Sequence, residues 1–365
     1  MDFTLTEEQE QLQRVVRELV ENECPPELVR RVIEGEEQGD AVWKALCAME
    51  LPGLTVPEVN GGSAATMVEL SLVLEQLGWA ADPSPFLATT TQYLPLVRDC
   101  SSGAARDERL AAVCGGTTGA AVFALSGITA TPEGDGWVLG GSARFVVDGD
   151  RADDLAVVAD TGNGVGVFLV PGADATRERA AMVDASMHTG LVGLDGVRVP
   201  AGRAFFDNDA AIARAYDEAV VGWAATMVGA AQHVFDMAID HIRNRKQFGV
   251  PIGSFQAIKH MAVDVYVNIE RARALYQYAA LAVAENDPRR AVASSLAKAA
   301  AGDAQRLAVQ HGFQFFGALG YTWENNLHLY MRRAKAGDSF CGSAIEHRRF
   351  VAEAALADRT TGDVR

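Results

Sequence analysis

Helical patterns at both ends and short strand patterns between them place this chain in the α+β class, mostly α. Two observations carry that reading. Apolar residues recur at helical spacing up to about residue 115 and again from about 207 to 357. Between about 120 and 203 the pattern changes to short apolar runs separated by turns rich in Gly, Asp and Pro, as in a small antiparallel sheet. The expected organisation is an N-terminal helical domain (1–118), a small middle antiparallel β barrel or sandwich (119–206) and a C-terminal four-helix bundle (207–365).

Thr6-Glu7-Glu8-Gln9 is a capping-box start, and Leu12, Val15, Val16, Leu19 and Val20 follow at helical spacing until Pro25 and Pro26. A second helix is expected over Ala41 to Met49. Pro57-Glu58-Val59-Asn60-Gly61-Gly62 is turn chemistry. A third helix is expected over about Thr66 to Leu77, with Gly78 as its C-cap. Strands are expected at Ala121 to Leu125, Trp137 to Leu139, Ala143 to Val147, Leu155 to Ala159, Gly166 to Val170 and Leu191 to Val199. Asp148, Asp150, Asp153 and Asp154 read as a solvated turn. In the last segment Met261, Val265, Ile269, Ala272 and Tyr276 trace one apolar stripe, and Leu296, Ala300, Leu307 and His311 another.

With 365 residues, about half of them apolar, the chain can build a full core. The formal charge of −16 repels phosphate backbones and argues against nucleic acid as a partner, while leaving room for a local basic pocket. The five cysteines (24, 47, 100, 114 and 341) contain no C-x-x-C pair and read as free thiols in a reducing cytoplasm. Neither a secretory leader nor an apolar run of membrane-spanning length is expected. His233, His241 and His260 share no ligand spacing with nearby carboxylates, so no metal is expected. Trp79, Trp137, Trp223 and Trp323 read as core or interface packing.

The stretch Arg245-Lys246-Gln247-Phe248-Gly249-Val250-Pro251-Ile252-Gly253-Ser254-Phe255-Gln256 resembles the R-x-x-F-G-x-x-I-x-x-F-Q signature of acyl-CoA dehydrogenases. The resemblance extends to the opening Met1-Asp2-Phe3 with Leu5 to Gln9, to Pro57–Gly62 as P-E-x-x-G-G, and to Glu75-Gln76-Leu77-Gly78 as E-x-L-G. It continues in Val197-Arg198-Val199-Pro200 and in Gly317 to Glu324 as G-x-x-G-Y-T-W-E. The resemblance implies that the signature holds the ADP half of an FAD that serves a neighbouring subunit's active site. The residue types suit that role. Arg245 can fork onto a pyrophosphate, Gln247, Gln256 and Gln314 offer amide hydrogen bonds, and Phe248 with Ile252 offers apolar walls. Gly317 allows close backbone approach. Ala318 stands where the family has a second glycine, and its methyl either crowds the dinucleotide or is tolerated.

The resemblance also implies a catalytic carboxylate, which the family carries in one of two places. The Y-E-G-T position is Phe340-Cys341-Gly342-Ser343, and the position after the signature arginine is Lys246. Neither is a carboxylate, so no catalytic residue is assigned. A free thiol with a pKa near ~8.5 is a poor base beside a glutamate near ~4.3, and Cys341 reads as a small buried apolar residue. Asp338 and Glu346 lie about a helical turn, ~5 Å, from the expected site. The family's T-E-P-x-x-G-S-D loop, which would hold the flavin ring, has no counterpart after the first strand.

Three readings follow. The chain is a non-catalytic subunit that completes the FAD site of a catalytic acyl-CoA dehydrogenase paralogue in a heterotetramer of two chains of each kind (α2β2). That is the arrangement of actinobacterial enzymes acting on bulky, steroid side-chain acyl-CoA substrates. Alternatively it is a self-sufficient FAD enzyme with an atypical base, or a structural and binding protein on this fold.

Overall fold

The computed structural model describes residues 5–123 and 127–361. The opening Met1-Asp2-Phe3 and the Ala124-Leu125 end of the first expected strand lie outside the described residues. Helices come first: α1 (Glu7–Glu23), α2 (Pro26–Ile33), α3 (Asp40–Ala48), α4 (Met67–Ala80), α5 (Phe86–Ala88), α6 (Leu94–Cys100) and α7 (Gly103–Cys114). The strands that follow are β1 (Gly119–Phe123), β2 (Ile128–Glu133), β3 (Gly136–Val147), β4 (Asp154–Asp160), β5 (Val165–Pro171), β6 (Thr176–Arg179), β7 (Thr189–Gly193), β8 (Val197–Pro200) and β9 (Ala204–Phe205). Then come α8 (Asp209–Asn244), β10 (Lys246–Gln247), β11 (Val250–Pro251), α9 (Gln256–Ala284), α10 (Arg290–Phe316), α11 (Leu327–Gly337) and α12 (Ala344–Thr361). The order helices, sheet, helices is the one expected. Compactness cuts across it, giving one unit of Met1–Arg31, Met67–Asp82 and Val220–Arg365, and another of Val32–Thr66 and Pro83–Ala219.

Among the described residues, the second unit holds a nine-stranded sheet along the path β6-β7-β3-β2-β4-β5-β9, with β8 beside β3 and β1 beside β4. It is mixed rather than wholly antiparallel, because β1 runs parallel to β4, with Val122 opposite Val157. Expected strands 137–139 and 143–147 merge into the twelve-residue β3, which bends at a bulge between Ala143 and Val146. The expected strand 191–199 is instead two, β7 and β8, separated by a turn at Asp195-Gly196. The two faces of the sheet are buried separately. Leu155, Val157, Phe168 and Val170 pack in one core, while Ala156, Val158, Val167 and Leu169 pack with Tyr93, Leu94 and Val97 in another. That alternation is the strand period of two.

The aspartate run is solvated only at Asp153, which is exposed and accepts from the Thr118 amide and hydroxyl at 2.9 Å. Asp148 and Asp154 are buried at 4% and 8% exposure, and the Asp150 side chain is buried against His188 Nδ1 at 2.7 Å. Asp154 accepts from Tyr93 Oη at 2.8 Å and is ion-paired with Arg109, and Asp148 is paired with Arg151 at 2.7 Å. The charges are tolerated inside because each has a cation or hydrogen-bond donor held against it, Arg151 from within the run and Arg109, Tyr93 and His188 from elsewhere in the chain. Sequence spacing cannot reveal the donors that come from elsewhere.

The first unit is helical. α9 packs along α10, α10 along α12, and α4 lies against both α1 and α9. Thr6 caps α1 through a reciprocal pair with Gln9, as the sequence predicts. Gly78 is not a C-cap: α4 runs on to Ala80. A Cβ at Gly78 would come within 2.7 Å of the Thr226 carbonyl carbon, and one at Gly229 within 2.7 Å of the Trp79 amide nitrogen and onto the Glu75 carbonyl. These two glycines therefore let α4 and α8 approach backbone to backbone. The α9 stripe is confirmed, with Val265, Ile269, Ala272 and Tyr276 buried. The α10 stripe holds only at Ala300: Leu296, Leu307 and His311 are half-buried, and the buried residues of the helix include Ala293, Ala297, Ala301, Ala304 and Ala308. Close helix packing selects small residues there, and hydrophobicity alone pointed to the larger ones.

Buried polar groups knit this unit together. Glu75, only 5% exposed, accepts from Arg273 Nε at 2.8 Å and from the Tyr276 hydroxyl. Arg273 also reaches Gln232 at 2.9 Å, and Trp79 Nε1 donates to Asp236 at 3.1 Å. His233 stacks on Tyr330 at 3.6 Å and tilts against Trp79 at 4.1 Å. Burial pushes its imidazole down to about 4. The unfolded chain therefore takes up this proton first as pH falls below ~6.5, and stability is lost between ~6.5 and 4. Urea unfolding at pH 7.5 and pH 5 is expected to show a loss of about 2 kcal/mol from this group. His233→Asn should flatten the profile; an unchanged slope would remove His233 from the account.

Candidate functional site

The signature segment folds as a hairpin between α8 and α9. Lys246 pairs with Pro251 and Gln247 with Val250, leaving Phe248-Gly249 as a two-residue turn. Both turn residues have positive φ, 53° and 80°, the arrangement of a type I′ turn. Such turns favour Asn-Gly. A phenylalanine there is strained, yet its ring stands 93% exposed. The hairpin base is rigid. The Ile252 amide donates to the Arg245 carbonyl at 2.8 Å, and the Arg245 amide to the His241 carbonyl at 2.8 Å. Ile252 packs with Ile242, Ala262 and Phe315, and His241 stacks on Phe316 at 4.2 Å.

That packing sets the end of α10 beside the hairpin base. Arg245, Gln247, Phe248, Gln256, Gln314, Gly317 and Ala318 are exposed, and Ile252 is the half-buried anchor. Gly317 ends α10 at φ 60°, and nothing lies within 4 Å of where its Cβ would be. The surface thus combines a guanidinium, three amides, an aromatic ring and an open glycine backbone. That donor set fits an adenine nucleotide's diphosphate and apolar ring.

The two positions for a base differ in setting. Lys246 is an exposed residue of the hairpin strand. Cys341 is half-buried at φ 52°, and its carbonyl takes a hydrogen bond from His347 Nε2 at 2.7 Å. Burial pushes its thiol up to about 11, although the Lys298 ammonium nearby opposes the shift. Lys298 is fully buried and donates to the Gly342 carbonyl at 2.8 Å. Phe340 stacks on the buried Trp223 at 4.6 Å. Asp338 and Glu346 are engaged elsewhere. Asp338 accepts from the Ala344 amide at 3.3 Å and from Lys335, and Glu346 caps α12 by accepting from Ser343 at 2.7 Å.

Lys298 was not picked out from the sequence. Its one signal was a lone cation in the small-residue run Ala293-Ser294-Ser295-Leu296-Ala297-Lys298-Ala299. Burial lowers its amine to about 8. The unfolded state holds that proton more tightly, so stability should rise as pH climbs from ~8 to ~10.5. Lys298→Met is expected to raise stability at pH 7 by about 1–2 kcal/mol, the lost Gly342 bond offsetting part of the gain. Thermal melts of both proteins at pH 7 and pH 10 check this, since the gap should narrow at high pH.

The sequence matches the family models "Acyl-CoA dehydrogenase, N-terminal domain" over residues 6–117 and "Acyl-CoA dehydrogenase, C-terminal domain" over residues 211–356. It is 30% identical to the acyl-CoA dehydrogenase IpdE2 of Mycolicibacterium smegmatis over 96% of this chain and 99% of that one. The chain belongs to the acyl-CoA dehydrogenase family. Among solved structures, a chain of the ChsE4-ChsE5 complex from Mycobacterium tuberculosis matches over the full length of this chain and of that one, with a TM-score of 0.89 at 25% identity. A chain of a variant of the Tcur3481-Tcur3483 steroid acyl-CoA dehydrogenase matches over 98% of this chain and all of that one, with a TM-score of 0.87 at 27% identity. The fold family is FAD-dependent. Among the described residues, no helix is long and apolar enough to cross a membrane.

Proposed function

We propose that this chain is the non-catalytic subunit of a flavin-dependent acyl-CoA dehydrogenase complex and lends the ADP half of an FAD site to a catalytic paralogue in an α2β2 heterotetramer. The observation that carries this reading is the hairpin at Arg245–Gln256. Its tip holds Phe248 in solvent at a strained φ, while its base is fixed in the core. A strained, exposed aromatic ring is retained for what it meets outside the chain. Arg245 would fork onto the diphosphate, Gln247, Gln256 and Gln314 would hold polar edges, and Phe248 and Ile252 would flank the ring. FAD, when bound, would supply the acceptor for the hydride that leaves the β-carbon of the acyl group.

The chain's own residues do not support proton abstraction. The thiol of Cys341 is held protonated by burial, and the buried Lys298 ammonium, bonded to the Gly342 carbonyl next in sequence, is no proton acceptor. The substrate class, a bulky and steroid side-chain acyl-CoA, is supported by likeness to a complex described as a steroid acyl-CoA dehydrogenase. The test is flavin stoichiometry in the complex co-expressed with its catalytic paralogue. About one FAD per pair of chains is expected. One FAD per chain, or acyl-CoA-dependent bleaching of flavin in this chain purified alone, would favour a self-sufficient enzyme instead.

A further inference from the structure

We propose that the sheet-bearing unit carries a second binding site, for a monocarboxylic acid with a compact apolar body, in a cavity between the end of α2 and the β6–β7 loop, with Arg179 holding the carboxylate. The cavity measures about 300 Å³. Val32, Ile33, Met182 and Met187 supply apolar lining, and Arg179 is its one charged lining residue. Gly35 leaves space open, because a Cβ there would meet nothing within 4 Å. A space of this size lies at the small end of ligand pockets.

Both walls are held in place by the fold itself. On the α2 side, the Gly35 amide returns to the Val32 carbonyl at 3.1 Å. On the other side, Asp184 and Ser186 are each 1% exposed and close the loop, the Ser186 amide donating to Asp184 at 3.1 Å. The Ala180 amide ties the loop's start to the Thr189 carbonyl at 2.7 Å. The buried Asp148–Arg151 pair joins the two walls. Arg151 Nη1 donates to the Gln38 carbonyl at 3.0 Å, and the Asp148 amide donates to the His188 carbonyl at 2.9 Å. A preformed cavity costs little ordering when a ligand enters.

Arg179 is exposed, and its guanidinium makes one hydrogen bond, from Nη2 to the Ala185 carbonyl at 3.1 Å. Among the described residues no carboxylate pairs with it. Its other N–H groups are left for an oxygen anion beside the apolar lining. The surrounding charge decides which anion. Glu34 and Glu36 stand exposed on either side of Gly35, and exposed Glu178 precedes Arg179. These carboxylates and the formal charge of −16 oppose a phosphate dianion or a polyphosphate, whereas a single carboxylate matches a single guanidinium. Two methionines, unbranched and adaptable, suit an aliphatic or an aromatic body. The site shares no residue with the flavin hairpin, so its failure and that of the subunit reading are separate.

The test titrates the full chain with 3-phenylpropionate and with hexanoate, each beside its matching alcohol, by ligand-detected NMR. The larger acid is expected to bind with a Kd of about 1 mM, and the alcohols more weakly. Arg179→Gln keeps a donor for the Ala185 carbonyl, and should weaken both acids about fivefold while leaving the alcohols unchanged. Ala181→Phe and Ala185→Leu add bulk to the lining and should abolish binding of acids and alcohols alike. Ala181 is exposed, so the melting temperature of Ala181→Phe should move by less than ~2 °C. Acid binding that survives both filling variants overturns the location. Acids that bind no better than their alcohols, an Arg179→Gln chain with wild-type affinity, or inorganic phosphate that binds more tightly than the acids overturns the carboxylate assignment. A wild-type chain that binds neither acid at about 10 mM overturns the site altogether.

Discussion

Gly229→Ala is expected to cost more than about 4 kcal/mol and to lower the melting temperature by about 10 °C or more. The added methyl would land on the Glu75 carbonyl and 2.7 Å from the Trp79 amide nitrogen. Both neighbours are backbone atoms of α4, so no side-chain rotation relieves the clash. The helices must separate, and the buried pairs of Glu75 with Arg273 and Tyr276 would be pulled apart with them. Removing partners from such buried groups is costly in its own right. Gly202→Ala is the control, because a Cβ there meets nothing within 4 Å and its φ is ordinary. It should fall within about 0.5 kcal/mol of the wild type. Circular-dichroism melts of the two variants decide the matter, and equal melting temperatures would refute the close-approach account.

Phe248→Asn should make the chain slightly more stable while weakening FAD retention by the complex. Asn-Gly is the favoured pair for a type I′ turn, and asparagine tolerates the positive φ that strains phenylalanine. The expected gain is about 0.5–1 kcal/mol. Loss of the aromatic wall should weaken FAD binding roughly tenfold, and Arg245→Ala roughly 30- to 100-fold, as for a charge-assisted forked pair worth about 2–3 kcal/mol. Chemical denaturation of the isolated chain and flavin titration of the apo complex measure the two effects separately. Should Phe248→Asn leave flavin affinity unchanged, the exposed ring has some other use.

Much of this molecule was legible without coordinates. The capping box at Thr6, the stripe on α9 and the change from helical to strand periodicity near 119 and 205 are local patterns, and each appears where expected. The hairpin residues and the non-carboxylate residues at 246 and 341 were also readable, because residue identity at a motif position needs no folding to be seen.

What local pattern could not give was the company each residue keeps. Gly78 has the sequence look of a helix end, yet it sits inside α4 because Thr226 of a distant segment presses against it. The aspartates at 148, 150 and 154 look solvated, but Arg109 and Tyr93 arrive from elsewhere in the chain to meet Asp154, His188 meets Asp150, and Arg151, itself held by the Pro83 carbonyl, turns back onto Asp148. Lys298 looks like any helix-surface lysine until the Cys341–Gly342 loop folds over it. In each case burial and pairing are set by contacts between remote segments. The chain by itself therefore determined which groups are present and in what order. Only the tertiary structure decided which charges are buried, which glycines are indispensable, and that Phe248 stands out in solvent on a rigid base.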